Sequence, residues 1–243
     1  MIWVGLSLLA AFGQAFGWAL KKRALVTQGI NNILGATSFL VAGGTLFIFW
    51  LFLGRQWPNI ASEYFLVPLA VMVSGNIIAV WAAYRALEKG SFARLMPLMS
   101  FTALLVVPVE YYLRGLVPTK MQLLGAALIV AGALLFSSTK SFLKEKGGWG
   151  VYGYFGLTLI IYSFMPVFQA LMVETTKDGL FSAAIIHLSI GIGFIPLVIF
   201  SQEIKSLRGL IELGQYRKLL WFIVGSGLVI GFLENGPATI ALE

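Results

Sequence analysis

The apolar stretch from Phe65 to Leu87, FLVPLAVMVSGNIIAVWAAYRAL, decides the fold class of this chain. A helix needs roughly 20 apolar residues to cross the hydrocarbon core of a bilayer, and this stretch is long enough. Its apolar residues follow one another instead of alternating with polar ones, which disfavours a strand of a membrane β-barrel. The stretch therefore predicts a transmembrane helix.

The composition extends this conclusion to the whole chain of 243 residues. Hydrophobic residues make up 59% of it, charged residues 11%, and the mean hydropathy is +0.90. Too few polar side chains remain to cover a soluble globule of this length. The net charge of +7 would suggest nucleic-acid binding in a soluble protein, but no soluble basic module exists here, so no nucleic-acid partner is expected. With no cysteine and one histidine, neither a metal site nor a cofactor is expected.

Eight apolar segments are candidates for transmembrane helices. They run from Trp3 to Leu20, Ile33 to Leu53, Phe65 to Leu87, Ala93 to Leu113, Met121 to Phe136, Val151 to Val173, Leu180 to Phe200 and Leu219 to Leu242. The fifth is the shortest. The sequence therefore predicts an all-α integral membrane protein, a helical bundle of about eight transmembrane helices.

Two short motifs recur 155 residues further along the chain, at equivalent places in the series of apolar segments. The repeated pairs are Gln14-Ala15 with Gln169-Ala170, and Ala86-Leu87-Glu88 with Ala241-Leu242-Glu243. Internal duplication of transmembrane segments is typical of secondary transporters. Because the first copy has five spans, an odd number, the second copy would cross the membrane in the opposite sense.

A polar, lysine-rich linker separates the two copies. We expect residues 1–138 to form the first five-span repeat, residues 139–150 the linker, and residues 151–243 the first three spans of a second, inverted repeat. At the same offset, a complete second repeat would give a chain of about 293 residues, with two further spans. The alternative is a natural eight-span protein.

The stretch from Ala86 to Phe136 carries a characteristic series of residues. The series is Ala86-Leu87-Glu88-Lys89-Gly90-Ser91, then Pro97-Leu98, Pro118-Thr119, Gln122, Gly125, Ala131 and Gly132. It resembles the drug/metabolite transporter superfamily, and in particular its EamA-like members. The resemblance implies a ten-span carrier made of two inverted five-span halves. Two positions depart from the family pattern: Leu116 stands where many relatives have an acidic residue, and Ala11 where small multidrug relatives place a carboxylate. Proton coupling by those acids is therefore not carried over to this chain.

Basic residues are concentrated in the odd-numbered connections between spans, as in Lys21, Lys22 and Arg23 of the first. The positive-inside rule then places the first connection in the cytoplasm and the amino terminus outside. Many members of the family that the chain resembles are thought to start in the cytoplasm, so the orientation stays open. In either orientation we expect an integral protein of the plasma membrane, which is the inner membrane in a bacterium.

Polar side chains inside the spans are the candidates for substrate binding, because each costs free energy in lipid unless it faces protein or a water-filled cavity. Glu234 is the strongest candidate, since a charge at the bilayer centre costs about 2.5–3.5 kcal/mol on insertion scales. Helical spacing puts it on one face with Gly227 and Gly231, which would let another helix approach. The alternative is that Glu234 lies at a frayed helix end. The expected substrate-binding residues are Gln14, Asn76, Trp81, Arg94, Tyr162, Gln169, Glu234 and Asn235.

Several polar residues have a second explanation. Gln14 and Gln169, which are equivalent in the repeat, would face a common axis, but hydrogen bonding between helices explains them as well. Tyr84 is expected to be an interfacial anchor, the usual role of tyrosine near the end of a span. The alternative is that it forms part of a polar and aromatic wall with Asn76 and Trp81. Glu110 lies four residues before Arg114, and this spacing predicts an ion pair.

These observations favour a secondary transporter that moves a small polar or amphipathic metabolite across the membrane by alternating access. The expected partners are the lipid bilayer, the transported metabolite and a second copy of the chain in a homodimer. One alternative is an inactive fragment of such a carrier. Another is a membrane-embedded enzyme that uses Glu110 and Glu234 as a carboxylate pair. We do not expect an enzyme, because the sequence offers no third catalytic group.

Overall fold

The computed structural model describes residues 12–22, 30–137, 148–201 and 203–205, together with residues 221, 224, 225, 227 and 228. Within these ranges every regular element is an α-helix and no β-strand occurs. The helices are α1 (residues 12–22), α2 (Asn31–Phe52), α3 (Glu63–Lys89), α4 (Phe92–Leu98), α5 (Phe101–Arg114), α6 (Lys120–Ser137), α7 (Gly148–Thr176) and α8 (Gly179–Phe200).

Five helical stretches of the described chain are long and apolar enough to cross a membrane. They are Asn31–Phe52, Glu63–Lys89, Arg94–Arg114, Trp149–Thr176 and Gly179–Phe200, and α6 adds a shorter apolar helix. The prediction of a helical membrane bundle is thus confirmed. Most of the eighth predicted segment and the beginning of the first lie outside the described residues.

The fourth predicted segment is not one continuous helix. The α-helical ladder stops after Leu98 and starts again at Phe101. Between them the amide of Ser100 donates to the carbonyl of Pro97 at 3.1 Å, and the amide of Met99 to that of Met96 at 3.0 Å, which are bonds over three residues. The chain tightens here, directly after Pro97, into a 3₁₀ turn. The predicted span from Ala93 to Leu113 corresponds to the helical stretch Arg94–Arg114, with this turn inside it.

Local sequence explains where α5 ends and α6 begins. Gly115 follows α5 with φ of 67°, the left-handed conformation in which glycine has no Cβ to clash, and its amide donates to the carbonyl of Tyr111 at 3.0 Å. The side chain of Gln122 accepts from the amide of Thr119 at 2.8 Å, and the Thr119 hydroxyl accepts from the amide of Gln122 at 3.2 Å. This reciprocal capping box gives a physical role to two residues of the characteristic series.

The chain divides into two compact units. The first contains residues 1–77 and 169–243, and the second contains residues 78–168. Each unit is described by itself below.

In the first unit, α2 and α8 pack antiparallel along most of their length. Gly35 near the start of α2 lies against Phe194 near the end of α8, while Gly43 lies against the backbone of Leu188. A methyl group added at Gly43 would be 2.5 Å from the Leu188 amide nitrogen. Lipid tails are as apolar as the helices, so association depends on close van der Waals packing, which small residues permit.

The same close approach occurs from the other helix. A methyl group on Gly191 of α8 would be 2.8 Å from the amide nitrogen of Leu40. Gly227, in the predicted eighth segment, also touches α2: its added methyl group would be 2.9 Å from the carbonyl oxygen of Ser38. This agrees with the expectation that Gly227 lets another helix approach. Gly231, which was predicted to share this helix face with Gly227, is outside the described residues.

The beginning of α2 is capped by a residue that follows α8. The carboxylate of Glu203 accepts from the amide of Asn32 at 2.9 Å and from that of Ile33 at 3.0 Å. A carboxylate there satisfies free N–H groups and interacts favourably with the positive end of the helix dipole. Glu203 thereby fixes the register of α2 against the end of α8.

In the second unit, α7 is bonded directly to the backbone of α3. The hydroxyl of Thr158 is buried and donates to the carbonyl of Ala79 at 3.1 Å. Gly90, directly after α3, lies against Val151 of α7. The helix α6 packs against α4 and α5, while most of its own surface is exposed.

Gly43→Ala should lower the free energy of unfolding by about 1–3 kcal/mol, because the new methyl group would meet the α8 backbone, which cannot rotate away as a side chain can. The loss of stability should appear as a lower melting temperature in detergent, followed by gel filtration after heating. Gly44→Ala is the matched control, since an added methyl group at Gly44 meets nothing within 4 Å. Equal melting temperatures for the two variants would contradict the close approach of α2 and α8.

Candidate functional site

The residues predicted to bind substrate fall into three groups. Gln14, Asn76 and Gln169 belong to the first unit; Trp81, Arg94 and Tyr162 belong to the second; Glu234 and Asn235 lie outside the described residues.

The three amides of the first unit have different surroundings. Asn76 is buried in α3, and its Nδ2 donates to the carbonyl of Met72 in the same helix at 2.8 Å. Gln169 of α7 is half-buried, and Gln14 of α1 is exposed. Asn76 therefore satisfies part of its hydrogen-bonding capacity within its own helix. A ligand role for the three amides stays a prediction.

In the second unit, the structure brings Trp81 together with a residue that the sequence reasoning missed. The rings of Trp81 and Tyr154 meet edge to face, with centroids 5.6 Å apart and planes at 86°. Trp81 is 37% exposed and Tyr154 half-buried, so the pair combines aromatic surface with a phenol hydroxyl. Such a pair can pack against an apolar part of a small molecule and hydrogen-bond to a polar part.

The spacing along α7 could have revealed Tyr154. Tyr154, Thr158 and Tyr162 follow one another at intervals of four residues, which places them on one stripe of a helix. The Thr158 hydroxyl holds this stripe to α3, because it donates to the carbonyls of both Ala79 and Tyr154 at 3.1 Å. Tyr162, half-buried, continues the stripe beyond Thr158.

Tyr84 differs from its prediction. Its exposed fraction is 1%, so the side chain is enclosed by protein and does not face a membrane surface. The expectation of an interfacial anchor was therefore wrong. The alternative, that Tyr84 belongs to an aromatic wall with Trp81 three residues before it, stays a prediction.

Charged groups of the second unit include one ion pair that the sequence predicted. The Arg114 guanidinium lies 3.0 Å from one carboxylate oxygen of Glu110 and 3.3 Å from the other, and both side chains are 21% exposed. The prediction of a pair four residues apart is confirmed. Arg94, in the first turn of α4, is half-buried.

The first unit contains a buried carboxylate that the sequence reasoning did not single out. Asp178, directly before α8, accepts from the indole N–H of Trp50 at 2.7 Å and from the amide of Phe181 at 2.9 Å. Its other neighbour is the guanidinium of Arg55 at 3.3 Å. An aspartate before an apolar helix is a readable capping signal, whereas its partners on α2 and the following loop depend on tertiary structure.

No group of three or more histidine, aspartate or glutamate side chains in the described part of the chain could hold a metal ion.

The long apolar helices define the protein as an integral membrane protein. A model of the EamA-like transporter family matches residues 1–138, more than half of the chain. The chain belongs to this family of the drug/metabolite transporter superfamily and is a membrane transporter. The family match ends at the residue where the first repeat is expected to end, and the division into repeats stays a prediction. Neither a curated protein nor a solved structure matches the chain.

Thr158→Val should destabilise the protein by about 1–3 kcal/mol, because it removes the hydroxyl and leaves the buried carbonyl of Ala79 without this donor. Thr158→Ser is the conservative control and should keep most of the stability. The measurement is the thermal unfolding of both variants in detergent. A valine variant as stable as the wild type would contradict the bond from α7 to α3.

Proposed function

We propose that this protein is a secondary carrier that moves a small polar or amphipathic metabolite across the plasma membrane by alternating access. Membership of the EamA-like transporter family is the observation that carries the proposal. The mechanism is an extension of it: a central cavity between two inverted repeats would open to one side of the membrane and then to the other.

The 3₁₀ turn inside the fourth span supports a transport site at this position. A stretch of 3₁₀ helix within a longer helix often marks a functional hinge. The turn at Met99 and Ser100, whose backbone dihedrals stay in the right-handed helical region, joins α4 to α5.

The antiparallel packing of α2 and α8 supports the inverted repeat. These helices correspond to the second span of each proposed repeat, and inversion requires equivalent spans to run in opposite directions. Their directions follow from the contacts of Gly35 with Phe194 and of Gly43 with Leu188. The proposed halves are residues 1–138 and 151–243.

The side chains support a substrate with both polar and apolar parts. Trp81 and Tyr154 offer aromatic surface, and Gln14, Asn76 and Gln169 are uncharged amides. Arg94 and Glu234 are the charged residues of the proposed set. Such residues suit an amino acid, a purine, a sugar or a cationic drug, and a substrate screen chooses among these classes.

Membrane-embedded catalysis is the weaker alternative. It would need Glu110 and Glu234 as a pair of general acid and base. Both carboxylate oxygens of Glu110 lie within hydrogen-bond distance of the Arg114 guanidinium. The Arg114 guanidinium therefore competes with a substrate for this carboxylate. The transporter family points in the same direction.

Purified protein in proteoliposomes should accumulate at least one member of a radiolabelled panel of L-amino acids, purine bases and hexoses, or the dye ethidium, by counterflow. Gln169→Ala and Glu234→Gln should each slow that uptake about three- to tenfold, the effect of losing one polar contact. Glu63→Gln, which neutralises an exposed carboxylate at the start of α3, is the matched control and should leave uptake unchanged.

Gel filtration of each variant reports the amount of folded protein. Uptake no higher than in empty vesicles for every compound would contradict the proposed function. Normal uptake by a folded Gln169 or Glu234 variant would remove that residue from the proposed site.

A further inference from the structure

Residues 53–62 connect α2 with α3, and we name them the 53–62 loop. Two side chains of this loop, Arg55 and Trp57, contact other parts of the first unit. Arg55 reaches the carboxylate of Asp178 at 3.3 Å. Trp57 meets the rings of Trp50 and Phe181 edge to face, at centroid distances of 5.3 and 5.5 Å. The loop is thereby anchored where α2 ends and α8 begins.

Asp178 keeps its position without the loop. Its carboxylate accepts from the indole of Trp50 in α2 and from the amide of Phe181 in α8, at 2.7 and 2.9 Å. Removing one partner of a buried ion pair is usually costly because a charge is left buried and unsatisfied. Here two donors would stay on the carboxylate after Arg55 leaves. The ion pair can therefore open at a cost closer to that of a surface pair.

The exposure of the two partners agrees with an opening contact. The Asp178 side chain is 9% exposed, whereas that of Arg55 is 33% exposed and Trp57 as a residue is 60% exposed. The fixed partner is thus buried, and the partners contributed by the loop are already partly accessible to solvent. Hydrogen bonds made by the loop backbone at Gly54 and Ala61 are local, to Leu51 and Asn59.

The turn between α7 and α8, which carries Asp178, is conformationally restrained. Lys177, between α7 and Asp178, has φ of 55°, a left-handed conformation that non-glycine residues rarely adopt. Such residues persist where the surroundings determine them, and they concentrate at functional sites and switches. The side chain of Thr176 supports this turn by accepting from the amide of Asp178 at 3.2 Å. Asp178 is therefore presented to the loop by a rigid turn.

We propose that the 53–62 loop is a gate at the place in the first unit where α2 ends and α8 begins. The Arg55–Asp178 ion pair is the latch that holds this gate closed. In each transport cycle the latch opens and the loop moves away from α8, while Asp178 stays bonded to Trp50 and Phe181. This inference rests on the proposed carrier function, since a gate has a role only in a protein that transports.

The latch can be measured with a nitroxide spin label, because the chain has no cysteine of its own. Gln56→Cys places a single label next to Arg55, at an exposed position. In this background Arg55→Gln should raise the ratio of mobile to immobile label about two- to fivefold, the range that a partly exposed ion pair supports. Asp178→Asn should raise the ratio at least as much, because its single acceptor oxygen can keep the cap of α8 but not also the bond from the Trp50 indole.

The matched control is Arg85→Gln, which removes an arginine from the exposed Arg85–Glu88 pair, also at 3.3 Å. It should leave the label spectrum unchanged. Raising the salt concentration from 0.1 M to 1 M shortens the screening length from about 10 Å to about 3 Å. It should raise the mobile fraction in the protein with Arg55 but not in the Arg55→Gln variant. An unchanged mobile fraction in Arg55→Gln, with the protein folded, overturns the latch.

Counterflow of the same radiolabelled panel decides whether the latch is a gate. Arg55→Gln should slow uptake at least threefold, because a gate that cannot be held closed leaves the cavity open to one side for more of the cycle; Arg85→Gln should not. A mobile loop with unchanged uptake overturns the gate and leaves the carrier function intact. Absence of uptake in the wild type contradicts the carrier function itself, and with it the gate, while the label still reports the ion pair.

Discussion

The first unit depends on the backbone contact between α2 and α8. In a bilayer, apolar side chains gain little by leaving lipid for protein, so two helices associate through dispersion contacts and the few polar bonds that their approach allows. Gly43 and Gly191 permit that approach, since each lies where a methyl group would reach the backbone of the other helix. The cap that Glu203 provides to α2 and the bond between Asp178 and the Trp50 indole both depend on the fixed register of this pair.

The two ends of this pair have different properties. At the start of α2, Glu203 binds backbone amides, which cannot move without unwinding the helix. At the end of α2, Asp178 binds one group in each helix and one arginine of a loop, and only the arginine can leave while both helices stay intact. A carrier needs such a combination of a rigid frame and a movable contact, because alternating access moves some elements against others that stay fixed.

Much of the fold could be predicted because its signals are local. The length of an apolar run determines whether a helix can cross the bilayer, and the predicted second, third and seventh segments match α2, α3 and α8 within two residues at either end. The Glu110–Arg114 pair could be predicted for the same reason, since it depends on helical spacing alone.

The break near Ser100 and the partners of Asp178 could not be predicted from the sequence. Proline does not by itself reveal the break, because Pro68, Pro108, Pro166 and Pro196 lie inside helices that continue. Asp178 meets Trp50 only after helices far apart in sequence have packed. Of the candidate site, the sequence provided Trp81 but not its neighbour Tyr154.

Disulfide formation between α2 and α8 in native membranes tests the central claim most directly. The cysteine-free chain allows Phe39→Cys and His187→Cys to be introduced as the only thiols, at residues of α2 and α8 whose ring centroids are 5.6 Å apart. These changes leave the close glycine contacts untouched. After mild oxidation and denaturation, a maleimide of high mass counts the thiols that stay free. The account predicts rapid loss of both thiols in this pair and retention of both in Phe39→Cys with Ile192→Cys, because Ile192 is exposed. Free thiols in the first pair, or equal oxidation of the two pairs, would contradict the packing of α2 against α8.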